Sequence, residues 1–119
     1  MTSHPVSVRR VYDEPRLTDG SRVLVDRLWP RGLSKEKAHL NQWCKAVAPS
    51  TALRKWYAHV PERFVEFTTR YKEELKDPER AAALQSLRET LREGPVTLLT
   101  ATKNPEISEA IVLAKILTD

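Results

Sequence analysis

Sulfur and glycine are scarce in this chain. Its one cysteine, Cys44, has no partner for an internal disulfide, which fits a reducing cytoplasm. With three glycines the chain carries no Walker A sequence, no dinucleotide fingerprint and no nucleophile elbow. No glycine run leads from Cys44 to an arginine, so a phosphatase loop is excluded and the thiol reads as inert. Long apolar runs are missing, which excludes a membrane span, and the opening MTSHPVSVRR lacks the apolar stretch of a secretory leader. His4, His39 and His59 are scattered with no short ligand spacing, so neither a metal site nor a cofactor is expected. Charge is only mildly one-sided. Lys plus Arg total 20 against 16 Asp plus Glu, a formal charge of +4 and a pI of about 9.4. That excess would draw in a phosphate or an acidic metabolite. It is too evenly mixed to be an obvious nucleic-acid face.

The 119 residues suffice for a single domain, 1–119, with its own core. Residues 6–12, VSVRRVY, and 22–26, RVLVD, read as strands separated by Pro15 and an Asp19-Gly20 turn. Ser34 caps a helix predicted over about 35–47, with Leu40, Trp43 and Val47 on one side. Ser50 caps a short helix carrying Leu53, Trp56 and Tyr57, and Pro61 opens another. Phe64, Phe67, Tyr71 and Leu75 recur at helical spacing as a core stripe. Asp77-Pro78 starts a helix with Leu84, Leu87 and Leu91 inward, closed by Gly94-Pro95. VTLLT, 96–100, is a buried strand, and Asn104-Pro105 starts the last helix, with Ile107, Ala110, Ile111, Ala114 and Leu117 inward. The fold class is α/β: a small, open, mostly parallel sheet of three to four strands flanked by several helices. A fourth strand would have to lie inside a segment that otherwise reads as loop or helix.

Ligands in open parallel sheets gather beyond the carboxyl ends of the strands. Tyr12-Asp13, Asp26 to Gly32 and Thr100 to Asn104 all follow strand ends. Arg27 and Arg31 offer guanidinium forks to a phosphate or carboxylate, and Gly32 would let backbone approach the anion. Lys103, with the start of the last helix, would supply a second positive wall, and Arg10 and His59 are further candidates. Asp26 would orient an arginine or act as a base; its structural alternative is an ion pair with Arg10, Arg22 or Arg27. Trp29 either plugs the core edge or stacks on a ring.

VRRVYDEP…DGSRVLVDRLWPRG, then the Trp43–Leu75 segment with its LRKWY and PERF, then VTLLTATKN, resemble the DUF488 family, in its YeaO-like branch, over nearly the whole chain. The resemblance implies a small soluble α/β protein and no particular substrate. It adds Lys45, Arg54 and Lys55 to the recurring polar positions. The family commonly carries an acidic residue and then a His-Asn-His or similar cluster before its final helix. Here Asn104 replaces the acid, and Ile107, Ser108 and Glu109 stand where the cluster belongs. A metal or acid–base step served by that cluster would be missing. Three functional readings follow. The preferred one is binding of a small anion at the strand ends, with an unidentified enzymatic step left open. The second is nucleic-acid binding through Arg9, Lys45, Arg54 and Lys55, against which Glu36, Glu62 and Glu66 argue. The third is a homodimeric interaction module.

Overall fold

In the computed structural model, which describes residues 4–119, four strands form one sheet: β1 Val6–Arg10, β2 Ser21–Leu24, β3 Gln42–Trp43 and β4 Val96–Thr100. The first three residues, part of the stretch read as lacking a leader, lie outside the described residues. The sheet order is β1-β4-β2-β3, and every pairing is parallel. The helices are α1 Lys35–Ala38, α2 Thr51–Tyr57, α3 Phe64–Glu74, α4 Pro78–Glu93 and α5 Glu109–Thr118. Among the described residues, no helix is long and apolar enough to cross a membrane.

Strand alternation sorts the core into two parts. Val23 and Val25 from β2 and its exit, with Val96 and Leu98 from β4, face the main core against α2 to α5. Leu24 and Leu99 face the other way and meet Val11, Trp29, Leu40 and Trp43 in a smaller cluster. The aromatic stripe behaves as predicted. Phe67 stacks on Tyr57 at 4.5 Å and on Tyr71 at 5.7 Å, and the buried Tyr71 hydroxyl donates to the Val47 carbonyl at 2.6 Å. Ser50 and Asp77 cap α2 and α4 through their side chains, as expected.

Two expectations are corrected. The helix predicted over 35–47 is one turn long, and its continuation is the missing fourth strand. His39 leaves α1 in the left-handed region at φ 51°, and the Arg22 guanidinium donates to the Ala38 and His39 carbonyls at 3.0 Å. Asn41 then exchanges bonds with Arg22: its side-chain oxygen accepts from the Arg22 amide at 2.8 Å, and its amide donates to the Arg22 carbonyl at 2.9 Å. Those contacts hand Gln42–Trp43 to the edge of β2. Leu40 and Trp43 therefore join the smaller cluster while Val47 packs in the main core, so the three do not share a face. Asn104 makes no side-chain cap. Pro105–Ile107 is a single 3-10 turn, and Ser108 caps α5 by accepting from the Ala110 amide.

The turn before β2 is built on glycine. Gly20 has φ 65°, and a Cβ there would lie 2.1 Å from the Pro95 carbonyl oxygen, which accepts the Ser21 amide at 2.9 Å. Strain and overlap add, so Gly20→Ala should cost roughly 3 kcal/mol or more. A denaturant midpoint equal to the parent's would contradict this close approach. Gly32, at φ 75° in open space, carries only the conformational part of that penalty.

Candidate functional site

The residues leaving β1, β2 and β4 meet α2 and the start of α5 around one cleft of about 380 Å³. Tyr12 follows β1, Asp26 to Arg31 follow β2, and Thr100 to Thr102 end β4; all line the hollow. From the helical side come Arg54, Tyr57, His59 and Phe67, with Ile107 to Glu109 ahead of and within the first turn of α5. The cleft is thus at the carboxyl end of the sheet, where a parallel arrangement leaves strand ends diverging.

Its loops are fixed by backbone contacts. The Tyr12 hydroxyl donates to the Arg31 carbonyl at 2.9 Å. The Trp43 indole donates to the Asp26 carbonyl at 2.8 Å, and the Trp29 indole to the Leu33 carbonyl at 2.6 Å. Trp29 meets Trp43 edge-on at 5.3 Å, so it both packs on the smaller cluster and walls the cleft. Opposite, the rim is shaped by consecutive left-handed residues, Ala58 at φ 47° and His59 at φ 58°, which end α2 and bring His59 to the opening.

Two acids stand on this lining. Asp26 Oδ2 accepts the Ala101 amide at 2.8 Å, which locks the β2 exit to the β4 exit. Glu109, half-buried as a residue, lines the cleft with Asp26. Burial first, then the neighbouring Asp26, push the Glu109 carboxyl well above the ordinary carboxylate range; its own amide and Arg54 oppose this and are outweighed. The ion pair between Asp26 and Arg10, Arg22 or Arg27 does not form.

Arg27, Arg31 and Arg54 line this cleft and, among the described residues, enter no salt bridge. Three other candidates are placed elsewhere. Lys103 is exposed and outside the cleft lining, so it forms no second positive wall, and the start of α5 presents an acid there instead. Arg10 lies behind the site. It donates to the Ala101 and Thr102 carbonyls at 3.1 and 2.9 Å and covers the Tyr12 ring at 4.9 Å, so it holds the β4 exit in place. Gly32 serves the turn and does not line the hollow.

Glu109, Tyr57 and Ser108 were not among the sequence candidates. Glu109 looks like an ordinary first-turn acid, favoured by the helix dipole, and nothing local announces that its carboxyl turns inward. Cys44 is buried, and burial raises its thiol, in keeping with an unreactive side chain. No three His, Cys, Asp or Glu residues come together to hold a metal ion among the described residues.

The family described as "Inactive DUF488-N3 subclade" matches residues 5–119. The chain is similar to the uncharacterized protein Rv3073c of Mycobacterium tuberculosis, 51% identical over 112 residues, covering 94% of this chain and 92% of that one. It is also similar to the uncharacterized protein YeaO of Escherichia coli, 38% identical over 109 residues, covering 92% and 93%. No solved structure matches it.

Proposed function

The chain belongs to the DUF488 family, in its inactive N3 subclade, and we propose that its cleft binds a small phosphate- or carboxylate-bearing molecule. One observation carries this reading: three arginines, Arg27, Arg31 and Arg54, line one hollow and, among the described residues, enter no salt bridge. The other arginines near the sheet are committed, Arg9 and Arg22 to Asp19 and Arg10 to backbone carbonyls. Arginines that line a concave surface and enter no salt bridge are suited to a ligand's anion. Binding, rather than turnover, is the reading that fits Asn104 and Ile107 in place of the polar cluster, and the subclade's description agrees with it. A cytoplasmic setting belongs to the same proposal, since the single thiol is free and buried.

The nucleic-acid alternative loses a member of its basic face. Arg9 donates to both carboxylate oxygens of Asp19, at 2.9 and 3.1 Å, and to the Glu14 carbonyl at 2.8 Å.

Calorimetric titration with ribose 5-phosphate tests the proposal. Binding should weaken as salt is added, and Arg31→Ala should lose roughly tenfold or more in affinity, the usual worth of a charge-assisted hydrogen bond. Equal binding by parent and variant would remove Arg31 from the site.

A further inference from the structure

We infer that the ligand carries an amino-bearing heteroaromatic ring as well as its anionic group, the chemistry of a nucleoside monophosphate such as cytidine monophosphate. The inference rests on the anion reading above and extends it to the rest of the cleft, where three further features go unused by a bare phosphate.

The first is the acid pair. Asp26 and Glu109 both line the cleft, and the Ala101 amide occupies one Asp26 oxygen at 2.8 Å. What the pair has left is lone pairs, an acceptor surface beside a cleft otherwise rich in cations. A phosphate presented there would be repelled, whereas an amino group would be bound. The second is the wall between acids and rim. Trp29, half-buried, lines it and offers an indole to a stacked ring, while Tyr57 and Phe67 are buried and stacked on each other at 4.5 Å. The third is size. A volume of about 380 Å³ lies at the small end of ligand pockets, which run from roughly 300 to 1,000 Å³. It suits one base with its sugar phosphate and is cramped for a dinucleotide. The ring then stacks on the aromatic wall, its amino group donates to the carboxyl pair, and the phosphate reaches Arg27 and Arg31.

Cytidine and uridine monophosphate differ at the decisive atom. Cytosine presents an amino donor where uracil presents a carbonyl acceptor, and that acceptor would face carboxylate lone pairs. Titrations should show cytidine monophosphate binding at least tenfold more tightly than either uridine monophosphate or ribose 5-phosphate. In Asp26→Asn the preference over uridine monophosphate should collapse, while ribose 5-phosphate binds at least as tightly as in the parent, since a charge that repels phosphate is removed. Glu109→Gln, which keeps a carbonyl acceptor in the pair, should retain the preference; its loss there would overturn the assignment of the amino contact to Asp26. Equal affinity for all three ligands would overturn the nucleobase inference and leave the anion site standing. Absence of binding by all three would remove both.

Discussion

Asp19→Asn is expected to cost about 3–5 kcal/mol of stability, the usual penalty for breaking a buried ion pair from one side. Asp19 is 4% exposed and lies between two guanidinium groups, Arg9 at 2.9 Å and Arg22 at 2.7 Å. Its Oδ2 also accepts the Arg16 amide at 2.9 Å, and its carbonyl accepts the Thr97 hydroxyl at 2.8 Å. Among the described residues, the substitution removes the only anion bonded to Arg22 and turns an amide toward one guanidinium. It also loosens the turn that sends β2 into the sheet, since Arg22 caps α1 from the same position. Burial alone would raise the Asp19 carboxyl, but the Arg16 amide and the Arg22 and Arg9 guanidinium groups outweigh it and hold it below the usual range. A lowered carboxylate contributes fully above its unfolded value, about 3.9, and that contribution is lost as pH falls through the folded value. The variant should therefore show a lower urea midpoint at pH 7 and a weaker loss of stability below about pH 4. A neutral-pH cost under about 1 kcal/mol would mean that water screens the cluster as it does a surface pair.

A second ion pair of the same spacing carries a different weight. Asp77 and Arg80 share the three-residue spacing of Asp19 and Arg22, and their contact is 2.8 Å. The Asp77 side chain is 41% exposed, however, and caps α4, a role asparagine fills equally well. Asp77→Asn should barely move the midpoint. Spacing cannot separate these pairs, because burial is decided by which face of which strand lies behind the arginine.

That distinction marks where sequence reasoning stopped. Features fixed within a few residues were readable: the VTLLT strand, the caps at Ser50 and Asp77, and the stripe from Phe64 to Leu75. The segment 35–47 was misread because Leu40, Trp43 and Val47 satisfy a helical period while contacts from Arg22, a long-range neighbour, decide otherwise. The site divides the same way. Tyr12, Asp26, Arg27 and Arg31 could be placed because parallel strands all send their exits to the same end of the sheet. Arg54, Tyr57 and Glu109 reach the cleft from helices, and their arrival depends on how α2 and α5 pack. Lys103 was misplaced for the converse reason: proximity to a strand end does not decide which way a side chain turns.

Glu109→Gln should stabilise the protein increasingly as pH rises. A carboxyl whose folded value is raised binds its proton more tightly in the native state than in the unfolded chain, so native stability falls with pH between the two values. The unfolded value is about 4.3, and the folded one is well above the ordinary range, chiefly through burial and then through Asp26. In that window the parent loses up to about 1.4 kcal/mol for each pH unit, and glutamine, which does not titrate, loses none of it. The groups facing Glu109 bear on the direction. Asp26 repels its charge, Arg54 attracts it without compensating for burial, and the Tyr57 and Tyr71 phenols are themselves raised, first by burial and then by the Glu109 charge. Glutamine keeps a donor toward the Asp26 carboxylate, so the lock between the β2 and β4 exits survives. Melting temperatures of parent and variant should nearly coincide at about pH 4.5, close to the unfolded glutamate value, and diverge as pH rises from there, with the variant higher. A constant difference over the rise would show that the Glu109 carboxyl is not raised in the native protein, and that Arg54 offsets its burial.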